Sequence, residues 1–213
     1  MLSFILCLGF CPISFADEIS VDELSKDKTL GNFPSAWQTF PFQGGKAKQV
    51  YKVEEENGQR FIRAYDNQDL SVRIMNDFLW PLAKYPHLSW KWRARNLPKG
   101  AAENSRDTND SACGIYVAFG KTSGVALKYV WSSTLPVGTV WEKEPGKFFV
   151  IVKSTGTANL NQWQDIKVNI VEDYKKYFKK DPSKDPSGIG LLTDGNAMHA
   201  TAACDYAGFK ISN

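Results

Sequence analysis

The stretch PHLSWKWRARNLP, Pro86 to Pro98, decides the fold. Taken by parity, Leu88, Trp90, Trp92 and Ala94 fall on one side, and His87, Ser89, Lys91, Arg93 and Arg95 on the other. A period of two, apolar against charged, marks a strand with one buried and one wet face. Two indoles two residues apart either fill a core or make a platform on which a flat ligand stacks. A platform needs polar hydrogen-bonding groups beside the rings, and Leu88 and Ala94 are not such groups. Trp90 and Trp92 are therefore expected in the core.

Outward from this strand the chain reads mostly as further strands. Gln49 to Val53 and Arg60 to Ala64 form a hairpin around the turn signal EENG. Leu70 to Met75, Gly114 to Phe119, Val125 to Trp131, Phe148 to Lys153, Asp165 to Val171, Gly188 to Leu192 and Thr201 to Ile211 follow the same pattern. One segment reads as a helix, VEDYKKYFKKDPSKDPSG, with Val171, Tyr174 and Phe178 on one face and Pro182 and Pro186 stopping it. Its lysines, Lys175, Lys176, Lys179 and Lys180, read as a solvated face. Many strands at short spacing with one short helix indicate an all-β fold. The expected form is a two-sheet antiparallel β-sandwich, jelly-roll and galactose-binding-like, as a single domain over residues 17–213.

The 213 residues can bury a real core. Charged residues are 23% and the net charge is +3, too little for the dense basic stripe of a nucleic-acid binder. The start, MLSFILCLGFCPISFA, is apolar and ends in small residues, so residues 1–16 read as a secretory signal with Asp17 as the first mature residue. The run is shorter than a spanning helix needs, and no later segment is apolar enough to cross a membrane. A periplasmic or secreted location follows as the expectation. Two cysteines then remain, Cys113 and Cys204. In an oxidising compartment they read as a disulfide, or else as two small buried thiols.

Chemical motifs are sparse. No nucleophile elbow, phosphate loop, dinucleotide fingerprint or HExxH occurs. His87 sits on the polar face of the opening strand. His199, near Asp194, is a candidate base. The polar loop NLPKGAAENSRDTNDSA, residues 96–112, is long enough to suggest function. Within it, DTNDS offers oxygen ligands at alternate positions, so a structural calcium held by Asp110 and Asp194 is one expectation, and turn formation by the same residues is the other. Trp131, which shares a strand face with Tyr129 and precedes Ser132 and Ser133, fits a sugar platform. Trp141, beside EKEPGK, is placed near the surface.

Several stretches together resemble the bacterial domain-of-unknown-function family 3047, typically exported proteins. They are FPSAW at 33–37, YPHLSWKWR at 85–93, NDSACGIYVAF at 109–119, LKYVW at 127–131 and EDYKKYF at 172–178, with LLTDGNA and DYAGFKI near the end. The chain departs from that pattern at Asn109, where an acidic residue is usual, and at Gly114, where Arg is usual. A looser similarity links the Trp-rich strands to sugar-binding jelly-roll modules. The resemblance implies export and a β-sandwich. The leading function is then a non-catalytic binding module for a carbohydrate or cell-envelope glycan, with Trp131, Tyr129, Asp110 and Asp194 as ligand-binding residues. The alternatives are a hydrolase of an envelope substrate, using Asp110, Asp194 and His199, or a structural and interaction domain of the envelope.

Overall fold

The computed structural model describes residues 17–27, 29–120 and 124–213. The expected signal, Met1 to Ala16, lies outside the described residues. Strands β1 (Glu18–Ser20) and β2 (Gln38–Thr39) are followed by helix α1 (Gly44–Val50). Then come β3 (Tyr51–Glu56), β4 (Gln59–Asp66), β5 (Ile74–Asp77), β6 (His87–Asn96), β7 (Cys113–Phe119) and β8 (Val125–Ser132). The chain continues with β9 (Val140–Glu144), β10 (Phe148–Thr155), β11 (Gln164–Asn169), α2 (Ile170–Phe178), β12 (Pro186–Leu191) and β13 (Ala202–Ser212). Among the described residues no helix is long and apolar enough to cross a membrane.

Two sheets stack face to face. The six-stranded sheet runs β11-β6-β13-β4-β3, with β1 on the far end of β13. The seven-stranded sheet runs β2-β5-β12-β7-β8-β10-β9. Pairing is antiparallel throughout except between β8 and β10, which run parallel. The fold is the expected all-β, two-sheet sandwich.

The core lies between the sheets, and the opening strand supplies its centre. Trp90 and Trp92 are 1% and 0% exposed. Their rings meet edge to face at 5.3 Å. Trp90 packs on Tyr129 at 5.6 Å and Trp92 on Trp131 at 6.2 Å. Two rings from β6 thus interlock with two from β8 of the facing sheet, an offset aromatic packing that adds to area burial. Trp92 Nε1 donates to Ser154 Oγ at 3.2 Å, whose hydroxyl donates to Gln164 Oε1 at 2.6 Å. Cys113 of β7 and Cys204 of β13 are bridged across the sandwich, with Cα atoms 5.4 Å apart.

The wet side of β6 is less wet than its alternation implies. Arg93 is 6% exposed. It bonds the fully buried Asp205 at 2.8 Å and Glu56 at 2.7 Å, under Trp163 at 4.6 Å. Arg63 reaches the same Asp205 at 2.5 Å from β4. Helix α2 is capped by Asn169, whose side chain accepts from Glu172 N at 3.1 Å. It buries Ile170, Tyr174 and Phe178, four apart, while Val171 is only partly buried. A second helix, α1, accompanies it.

Candidate functional site

The polar loop 96–112 is fastened to the end of β8. Ser133 Oγ donates to Pro98 O at 2.7 Å, and Thr134 Oγ1 to Ala101 O at 2.7 Å. Glu103, 3% exposed, accepts from Ser111 Oγ at 2.9 Å and Ser132 Oγ at 2.6 Å. A buried carboxylate is tolerated here because both oxygens have hydroxyl donors.

Beyond it, Asp110 binds the next loop. It is fully buried and accepts from Ala197 N at 3.1 Å and Met198 N at 2.7 Å. Burial raises its pKa, and the Asp194 charge adds to that, against the two backbone donors. Asp194, 6% exposed, donates its own N–H to Ser111 O at 3.0 Å, and its Oδ1 is buried without a hydrogen-bond partner.

Lys128 completes the cluster. It is 4% exposed, on the outer side of β8. Burial opposes its charge, but Tyr116, Asp194 and Glu103 outweigh burial and hold the ammonium above its ordinary value. Its stem runs past Gly114, where an added Cβ would meet Lys128 Cε and Leu192 O, each at 2.9 Å. Gly114 therefore makes room for the lysine.

The outer face of the seven-stranded sheet carries these groups. By strand alternation Tyr116, Lys128, Val130, Phe148 and Val150 point away from the core, and Tyr116, Val130, Phe148 and Val150 belong to a second, smaller apolar cluster with Leu192. Register places Met75, Gly190, Tyr116, Lys128, Val150 and Trp141 in one transverse row. At the β9 end of this row is a hollow of about 280 Å³ lined by Glu103, Ser105, Arg106, Asn109, Trp141, Lys143 and Glu144. Trp141 is 41% exposed. Burial lowers the Lys143 pKa and the neighbouring Lys128 charge lowers it further. A buried lysine held charged and an exposed one pushed the other way, beside an open hollow, are the pattern of a ligand site.

Several expected site residues are corrected. Trp131 and Tyr129 are both fully buried, and so are not a ligand platform. Trp131 Nε1 donates to Gly156 O at 3.1 Å, and Tyr129 Oη donates to Asp173 Oδ2 at 2.9 Å. Alternation correctly joined them on one face, but that face is inward. Asp110 and Asp194 do come together. Yet Asp110 faces two N–H donors, and among the described residues no cluster of three or more His, Cys, Asp or Glu could hold a metal ion. That donor set does not fit calcium, which takes six to eight oxygens. His199 lies at the surface, its Nδ1 2.7 Å from Asp69 Oδ2, with its side chain 81% exposed. The Asp69 bond and charge raise its pKa. The proposed triad of Asp110, Asp194 and His199 is thus not a shared, water-excluded centre. No sequence motif marks Glu103, Lys128 or Lys143. Only the suspicious length of loop 96–112 and the surface position of Trp141 pointed toward them.

The two stacked sheets define an all-β sandwich protein. The chain belongs to the DUF3047 family, proteins of unknown function, whose pattern it matches over residues 35–210. No curated protein matches it. The fold is similar to that of the xyloglucanase domain of NopAA, a type three effector from Sinorhizobium fredii, solved with cellobiose. That match has 8% identity and TM-score 0.44, over 85% of this chain and 100% of that one. Endoglucanase cel12A from Rhodothermus marinus is similar at 10% identity and TM-score 0.46, over 76% and 86%. A carbohydrate-binding module specific for non-crystalline cellulose is similar at 11% identity and TM-score 0.37, over 87% and 91%.

Proposed function

We propose that the protein is an exported, non-catalytic module that binds a glycan along the outer face of the seven-stranded sheet. The observation that carries this is Trp141, half-exposed at the wall of a hollow whose other walls are Glu103, Asn109, Lys143 and Glu144. Sugar C–H faces stack on an indole, and hydroxyls need polar partners beside it. The transverse row from Met75 to Trp141 crosses five strand steps, about 24 Å at the usual strand spacing. Its middle, Tyr116, Lys128 and Val150, is buried, so a chain of sugars would meet the face at the two ends of the row. The cystine and the apolar Met1 to Ala16 support export. His199 is exposed and bonded to Asp69, while Asp110 is buried on two backbone N–H groups, and this supports binding over the hydrolase considered from sequence.

A glycan array tests this with wild type and Trp141→Ala side by side. Wild type is expected to retain at least one class of oligosaccharide, and the variant to lose it with its melting temperature within a few degrees. Equal retention by both would remove Trp141 from the site. Release of shortened sugars during incubation would make the protein a hydrolase instead.

A further inference from the structure

The same sheet face carries a second hollow at the opposite end of the transverse row. Its volume is about 310 Å³, and its lining includes Phe40, Arg73, Tyr116, Ala118, Ala126 and Gly190. The floor is small and apolar, and Gly190 leaves it open between Tyr116 and Arg73. Phe40 is 45% exposed at its rim.

Arg73 is the single charged side chain of this lining among the described residues. Its guanidinium carbon lies 5.0 Å from the Phe40 ring centroid and 5.0 Å from that of Tyr116. The two rings hold the planar cation in place. Among the described residues it has no carboxylate partner, and its Nε is buried without a hydrogen bond. Arg106 likewise has no ion pair among the described residues, whereas the arginines of strands β4 and β6 contrast with Arg73. Arg60, Arg63, Arg93 and Arg95 each have an acidic neighbour within 4.0 Å.

A guanidinium held between two rings with no carboxylate partner among the described residues, above a small apolar floor, matches a carboxylate attached to a sugar ring. The fork takes the carboxylate oxygens and the floor takes the ring's C–H face. A bare small anion would leave most of 310 Å³ unfilled. We infer that this hollow is a subsite for a uronic acid residue, so that the glycan bound along the face is acidic. The inference rests on the outer-face reading above and specifies its ligand class.

The test uses oligomers of galacturonate, glucuronate and mannuronate, each as free acid and as methyl ester, titrated into the mature protein. The ester removes the charge and leaves the chain unchanged. Wild type is expected to bind at least one free acid about tenfold more tightly than its ester, the scale of a charge-assisted hydrogen bond. Arg73→Gln is expected to erase that preference while binding of the ester stays within about twofold. Arg73→Lys, which keeps the charge without the fork, should retain part of the preference, separating lost charge from a fold defect. Trp141→Ala should weaken acid and ester alike. No preference in wild type, no binding to any uronate oligomer, or a preference that survives in Arg73→Gln overturns the uronate subsite. If Trp141→Ala changes nothing while Arg73→Gln erases the preference, the stacking role of Trp141 fails and the subsite stands.

Discussion

Single residues in this molecule divide sharply by which side of a strand they occupy. Trp90, Trp92 and Trp131 share one inter-sheet contact set, so truncating any of them opens a cavity. Each change to Ala is expected to cost about 3–5 kcal/mol, read as a denaturant midpoint shift. For a domain of this size, that is a melting temperature lower by roughly 6–20 °C. Asp205 has a comparable expected effect for a different reason. Asp205→Ala removes the buried partner of Arg93 and leaves it the half-exposed Glu56 alone, and a broken buried pair costs about 3–5 kcal/mol. Chemical denaturation of that variant, with Asp205→Asn alongside, measures it. Asp110 gives a signed pH test. Its folded pKa is raised, so its charged form is disfavoured in the native state. That penalty is absent well below the unfolded value of 3.8, grows as pH rises through the folded pKa, and is then constant. Asp110→Asn removes the titration, so its stability relative to wild type should rise between pH 3 and neutrality. A flat difference across that range, from denaturation at several pH values, would mean that Asp110 titrates normally.

At the scale of elements, α2 is the part whose local chemistry is most complete. Asn169 caps it, Glu172 and Asp173 sit in its first turn, and Lys175 and Lys176 in its last, all favourable to the helix dipole. Asn169→Ala should cost about 1 kcal/mol, measurable as a small midpoint shift without loss of the sandwich. This helix and strand β6 were legible because a period of about 3.6 or of two persists over nine or more residues. Strand β9 was not, since VWEKE is an exposed edge strand and no face of it needs to be apolar. Helix α1, GGKAKQV, opens with two glycines and carries no start signal. The inward direction of Tyr129 and Trp131 also escaped, because alternation shows that residues share a face but not which face is covered. Arg93 and Asp205 escaped for a related reason. Their mutual burial depends on β6 and β13 being neighbours 112 residues apart in sequence. The candidate site is built in the same way, from loop 96–112, β8, β9 and the loop after Asp194, so no short motif contains it.

Across the whole molecule, one bridge ties the two sheets. Cys113 and Cys204 are 91 residues apart. In the chain-entropy account, closing a loop of that length stabilises by about 4–5 kcal/mol. A thiol assay on denatured, unreduced protein should therefore find no free thiol in residues 17–213, and reduction should lower the melting temperature by roughly 8–20 °C. Two free thiols would leave the pair as buried cysteines and remove a support for export. Recovering the exported protein with Asp17 as its first residue, by mass spectrometry, is the companion expectation for the leader. The central claim concerns the two outer faces. That of the six-stranded sheet carries ion pairs around Asp205 and a hollow of about 240 Å³ walled by Ser89, Lys91, Asp165, Lys167 and Lys210, whereas that of the seven-stranded sheet carries two hollows, an exposed indole and an arginine with no carboxylate partner among the described residues. The most direct test is a crystal structure with the tightest-binding oligosaccharide. The account expects the sugar chain along the Met75-to-Trp141 row, with one ring stacked on Trp141 and a carboxylate at Arg73. A chain bound on the outer face of the six-stranded sheet, or at the loops away from Trp141, would contradict it.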